Sequence, residues 1–74
     1  MGAFDIGRIC LKTAGRHAGK KVVIVSELED NKFVTIDGPK VKRKRCNIAH
    51  LEPLNETIKV TKSTTHENVI KLMK

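Results

Sequence analysis

The sequence has no tryptophan and no tyrosine, and its aromatic rings are limited to Phe4 and Phe33 beside three histidines. Proline-rich peptides and methylated lysines are gripped by clustered aromatic rings, and two phenylalanines cannot build that groove or cage. The same shortage argues against the stacking platforms of RRM- and OB-type nucleic-acid binders. Any core must be aliphatic. Cysteine is equally sparse: Cys10 and Cys46 stand far apart with no Cys-x-x-Cys, so neither a zinc site nor a disulfide framework is indicated. Both sit among Ile, Leu and Val, where a free thiol behaves as a small buried hydrophobe, in keeping with a reducing compartment. The longest uninterrupted apolar run is residues 22–25, and no apolar segment follows a basic N-terminal flank. Neither a signal peptide nor a membrane span is therefore expected, and the chain reads as cytoplasmic.

Acidic residues are also few. Eight of them face 15 Lys and Arg, a formal net charge of +7, which favours a polyanionic partner. Arg8, Lys12, Arg16, Lys20 and Lys21 meet only Asp5 in the first 26 residues, while Glu27, Glu29 and Asp30 gather in one segment. Such segregation predicts one face for the polyanion and another turned away.

What the chain does have is Lys40-Val41-Lys42-Arg43-Lys44-Arg45, five cations in six positions, behind a Gly38-Pro39 turn. Five like charges so close repel one another, so either water or an anion must lie opposite. A solvated charge run is the plain reading. Against it, the run is internal and leads straight into Cys46, Ile48 and Leu51, which look like core, so a phosphate backbone is the better counterpart.

A second candidate surface is Thr13-Ala14-Gly15-Arg16-His17-Ala18-Gly19-Lys20, whose two glycines allow positive φ and close approach of another backbone. Arg16, His17 and Lys20 are displayed there, with Lys12 and Lys21 on the flanks. A nucleotide-hydrolase phosphate loop would need Gly-x-x-x-x-Gly-Lys-Ser/Thr before a helix. Here the spacing and the hydroxyl are missing, and β-branched residues follow, so nucleotide hydrolysis is rejected.

With 74 residues the chain makes one small domain, near the size where apolar burial only just offsets chain entropy. Residues 6–12 alternate as a strand, with Gly7, Ile9 and Leu11 on one face and Arg8, Cys10 and Lys12 on a cationic face in water. Residues 21–26 carry four successive aliphatic side chains, predicting a central strand covered on both faces. Asp30-Asn31 tolerate left-handed backbone and turn the chain into a third strand over 33–37. The basic run climbs into a fourth strand in which Cys46 and Ile48 point inward and Arg43, Arg45 and Asn47 outward. A helical turn over 47–50 follows, and residues 54–60 close the sheet as a fifth strand. Asn47 and His50 either donate hydrogen bonds to a bound nucleic acid or cap that turn. Thr64-Thr65-His66-Glu67 fits a capping box, and Val69, Ile70 and Met73 line one stripe of a short terminal helix in which His66 is a first-turn residue.

The fold predicted is mainly β: a small SH3-like barrel of about five strands over residues 1–62, with a short C-terminal helix over 63–74 docked on it. The segment Gly7-Arg8-Ile9-Cys10-Leu11-Lys12-Thr13-Ala14-Gly15-Arg16-His17-Ala18-Gly19-Lys20-Lys21-Val22-Val23-Ile24-Val25 resembles a KOW motif, in which a fixed glycine, here Gly19, precedes a hydrophobic strand. Together with Gly38-Pro39 and Arg45-Cys46-Asn47-Ile48-Ala49-His50-Leu51-Glu52-Pro53, the chain is similar over about residues 5–60 to archaeal members of the fourteen-e family of large-subunit ribosomal proteins. That resemblance implies a place in the large ribosomal subunit, bound to ribosomal RNA beside neighbouring ribosomal proteins. The extension that eukaryotic members carry after the barrel has no counterpart in these residues, so its contacts are not carried over.

On this reading the RNA-binding residues are Lys12, Arg16, His17, Lys20, Lys21, Lys40, Lys42, Arg43, Lys44, Arg45, Asn47 and His50, acting through phosphates, 2′-hydroxyls and RNA shape. No cofactor, metal or membrane partner is expected, and the chain should be a monomer outside the ribosome. Catalysis would need Cys10 or Cys46 paired with His17, His50 or His66, and no spacing supports a pairing, so the chain is read as no enzyme. The rival reading is a small basic chromatin or DNA-packaging protein that coats duplexes through phosphate contacts alone.

Overall fold

The computed structural model describes residues 4–73; residues 1–3 of the lead-in and Lys74, at the expected helix end, lie outside them. Five strands follow in chain order, β1 (Arg8–Lys12), β2 (Lys21–Ile24), β3 (Phe33–Gly38), β4 (Val41–Asn47) and β5 (Leu51–Thr57), then helix α1 (His66–Met73). A single 3-10 turn (Ile48–His50) joins β4 to β5. The strands form one antiparallel sheet in the order β4-β3-β2-β1-β5. The architecture is mainly β with a short terminal helix, as the sequence predicts. The sheet curls without closing, since β4 and β5 end the order instead of pairing with each other.

β2 takes the central place that its aliphatic run requires. Val22 and Ile24 join Cys10, Val34, Ile36, Val41, Cys46 and Leu51 in one buried cluster. Val23 and Val25 point the opposite way, into a second cluster with Ile9, Val60 and Val69. Two small cores thus sit on the two faces of one sheet, and the second exists because α1 and the chain after β5 cover the outer face.

This two-sided burial corrects the reading of β1. Its supposed water-facing side carries Cys10, with no exposure, and Lys12, at 5%. Cys10 packs into the first cluster and Ile9 into the second, so both faces of β1 meet core. Gly7 sits ahead of β1 at φ 95, not within a strand: its N–H donates to the Ile24 carbonyl and its carbonyl accepts from Ile58 N–H. A Cβ at that position would stand 2.3 Å from the Ile58 oxygen, so the turn takes only glycine.

The β2–β3 connection turns through Asp30 and Asn31 at φ 51 and 55, the left-handed pair expected. β4 departs from strict alternation, with Lys42, Arg43, Lys44 and Arg45 all exposed between buried Val41 and Cys46. The register slips between Ile36 and Gly38, and that irregularity lets four cations face outward in succession. β5 begins at Leu51, three residues before the expected start, and includes Pro53 opposite Cys10. Proline is tolerated there because β5 ends the sheet order.

The helix start is also shifted. Thr65 Oγ1 accepts from Asn68 N–H, which makes Thr65 the N-cap, while Thr64 Oγ1 accepts from Thr61 N–H in the preceding turn. The N-cap thus lies one position after the one read over residues 64–67, and Asn68, not Glu67, holds the third helical position, so the hydroxyl half of the expected capping box forms without its Glu67 arm. Val69 is buried, and Ile70 and Met73 are half-buried, as the stripe predicts.

Candidate nucleic-acid interface

The β1–β2 loop is built on paired backbone bonds at its neck: Lys12 N–H donates to the Lys20 carbonyl and Gly19 N–H to the Lys12 carbonyl, at 2.9 and 2.7 Å. Gly15 and Gly19 adopt φ 84 and 87, the positive values that the loop reading requires. Lys12 does not display its charge. Its Nζ donates to the Ala14 carbonyl at 2.7 Å, beneath the loop. An ammonium held indoors this way orders loop backbone, so Lys12 belongs to the scaffold.

Antiparallel pairing of β2 with β3 brings the neck of that loop beside the Gly38-Pro39 turn, where a Cβ on Gly38 would stand 2.9 Å from the Lys21 carbonyl oxygen. Gly19, Lys20 and Lys21 consequently line one groove of about 280 Å3 with Pro39, Lys40 and Met73. Farther along, half-buried His17 lies within the field of Lys44. Partial burial first, then the charges of Lys44, Lys12, Arg16 and Lys20, hold its imidazole pKa below the usual 6.5. The two basic segments therefore share one side of the molecule.

Arg16, Lys20, Lys40, Lys42 and Lys44 are exposed, and none forms an ion pair among the described residues. Lys21 reaches Glu56 at 3.8 Å and Arg45 reaches Glu29 at 3.8 Å, both as open surface pairs. Such pairs contribute little and yield readily to a stronger anion. The Arg45 guanidinium carbon also lies over the Phe33 ring, 4.1 Å from its centroid, a cation–π contact.

Arg43 is placed differently from its neighbours. Its Nε donates to Oδ2 of Asp37 at 3.0 Å, its terminal nitrogens reach the Lys62 and Thr64 carbonyls, and the Asp37 carboxylate is fully buried. His66 Nδ1 meets the other carboxylate oxygen at 2.5 Å, and Gly38 N–H donates to it as well. Asp37 thus ties β3, β4 and α1 together, with Arg43 as a structural clamp. Sequence reasoning missed Asp37 and gave His66 too small a role. A carboxylate between Ile36 and Gly38 at a strand end was the available signal, but it also reads as an ordinary turn residue.

Asn47 resolves toward capping, since its Oδ1 accepts from Ala49 N–H at 2.9 Å. The His50 carbonyl accepts from Thr13 N–H at 2.8 Å, and the residue is exposed beside the start of the β1–β2 loop. Among the described residues, no three His, Cys, Asp or Glu come together to hold a metal. No helix among them is long and apolar enough to cross a membrane.

No protein-family model matches the chain. Curated relatives do. The chain is 51% identical over 75 aligned positions to the large ribosomal subunit protein eL14 of Desulfurococcus amylolyticus, covering 96% of this chain and 77% of that protein. Its identity to the eL14 protein of Staphylothermus marinus is 48% with the same coverage, and to that of Sulfolobus acidocaldarius 49%, over 93% of this chain and 75% of the relative. With half its residues shared along nearly all its length and three quarters of theirs, the chain belongs to the family of large ribosomal subunit protein eL14.

Proposed function

We propose that the chain is a structural, non-enzymatic constituent of the large ribosomal subunit that grips ribosomal RNA with its paired basic segments. The observation that carries this reading is the meeting of Lys20 and Lys21 with Lys40 at one groove, with Lys44 close enough to act on His17. Separate basic tails would not need a rigid sheet to hold them side by side. Arg16, Lys42, Lys44 and Arg45 extend the cationic surface, and His17 and His50 add ring nitrogens at its edge. Lys12, Arg43 and Asn47 act from behind by fixing loop, helix and turn.

Lysine and arginine neutralise phosphates and release condensed counterions, so affinity falls steeply with salt. Arg45, seated over Phe33, offers a guanidinium fork for bidentate phosphate contact. RNA and neighbouring ribosomal proteins are the partners, and the free chain is a monomer.

The relatives all carry a large-subunit name, which gives the DNA-packaging alternative no support. Binding of structured ribosomal RNA and of duplex DNA, measured across a salt series, tests the reading. RNA should bind more tightly at matched salt, and Lys40→Ala or Lys44→Ala should each lower the magnitude of the salt slope by about 1. Equal affinity for the two polyanions, or unchanged slopes, overturns it.

A further inference from the structure

The groove holding Lys20, Lys21 and Lys40 is not lined by cations alone. Pro39 and Met73 form an apolar wall, and at Gly19 the space within 4 Å of a would-be Cβ is empty. A surface that merely neutralises a phosphate backbone has no use for a proline ring and a thioether. A groove whose lining is both cationic and apolar matches a ligand that is anionic at one end and flat and apolar at the other.

We propose that this groove receives one unpaired nucleotide extruded from the RNA, its base against Pro39 and Met73 and its phosphate among Lys20, Lys21 and Lys40. The inference rests on the RNA-binding reading and deepens it. Three features carry it. The groove volume, about 280 Å3, lies just under the roughly 300 Å3 where small-molecule pockets begin, room for one base rather than a multi-part substrate. The missing side chain at Gly19 lets a sugar-phosphate segment approach protein backbone. The apolar wall is held in place, because Met73 stands on α1 and α1 is tied to the sheet through Asp37, Arg43 and His66. A base already unpaired costs little to extrude, and base-face contacts are tolerant of sequence, so shape selects the site.

The test uses the full chain and three RNA hairpins: one perfectly paired, one with a single bulged adenosine, and one with an abasic bulge that keeps the phosphates. The adenosine bulge should bind about five- to ten-fold more tightly than the other two. Met73→Ala should erase that preference while leaving affinity for the paired hairpin unchanged, and Lys40→Ala should weaken all three. In the wild-type chain the Met73 methyl resonance should move upfield with the adenosine bulge and stay in place with the abasic one, a readout independent of any variant. Equal binding of adenosine and abasic bulges, with no methyl shift, overturns the base pocket and leaves the RNA-binding reading standing. Failure of all three hairpins to bind overturns both.

Discussion

His66 Nδ1 lies 2.5 Å from Oδ1 of Asp37 across 29 positions of sequence, and through that contact the terminal helix is fastened to the sheet. The same carboxylate takes Gly38 N–H and the Arg43 guanidinium. A fully buried carboxylate with this many donors is expensive to disturb, since any lost partner leaves charge away from water.

Asp37→Asn should therefore lower unfolding free energy by about 2–3 kcal/mol, below the usual cost of breaking a buried pair because Arg43 and His66 keep partial access to water. Arg43→Ala should cost a similar amount, whereas Lys44→Ala, on the same strand, should stay within about 0.5 kcal/mol. Urea denaturation checks the contrast. An Arg43 variant no less stable than the Lys44 variant would remove the clamp.

The two glycines that precede the first two strands should behave unequally. Gly7→Ala meets both a φ of 95 and the Ile58 oxygen, whose residue is itself bonded to Gly7, and should cost at least about 4 kcal/mol. At Gly19 nothing stands within 4 Å, so Gly19→Ala carries only the left-handed backbone penalty of about 1–2 kcal/mol. Thermal or chemical unfolding of the two variants decides it.

His17 should titrate below its ordinary 6.5 in the free protein, because partial burial and then the nearby cations disfavour the imidazolium. The folded state then binds the proton less readily than the unfolded one, so this residue's contribution is fully present above pH 6.5 and is lost as pH falls below it. Salt should move the value back up by screening Lys44 and its neighbours. Bound RNA should raise it further by placing phosphate beside the ring. Proton NMR titration of the His17 ring, with and without a structured RNA, measures all three.

Burial pushes the Cys10 thiol from 9.0 up to about 11, with the charge of Arg8 only partly offsetting it. Between those two values the unfolded chain releases this proton while the folded chain keeps it, so stability falls as pH rises through the interval. Native protein at pH 8 should resist a thiol-exchange reagent at this position and react only on unfolding. Rapid labelling of Cys10 without loss of structure would contradict its place in the core.

Much of the fold was legible because local chemistry and tertiary position agree. Four aliphatic residues over 22–25 demand two covered faces, and Asp30-Asn31 mark a left-handed turn. Lys12 was misjudged because period two assigns its side chain to the face opposite Ile9 but cannot tell that this face is a second core. Pro53 reads as a stop signal, yet at a sheet end it leaves β5 paired with β1. Adjacent Thr64 and Thr65 both carry a capping hydroxyl, so the register of α1 was ambiguous by one residue. The Asp37 tie spans 29 positions and leaves no periodic trace. The groove wall at Pro39 and Met73 is invisible for the same reason: two residues far apart become neighbours only once α1 packs back on the sheet.

The ends of the sheet have a consequence for life before assembly. An uncovered strand normally invites another chain to add to it, and a cell making such a protein in excess risks fibrils. Here one rim is interrupted by Pro53, which has no N–H to offer, and the other presents Lys42, Lys44 and Arg45 to any approaching copy, with Arg43 held back on Asp37. Like charges along that rim oppose an approaching copy, so the sheet carries at both ends a guard against strand addition.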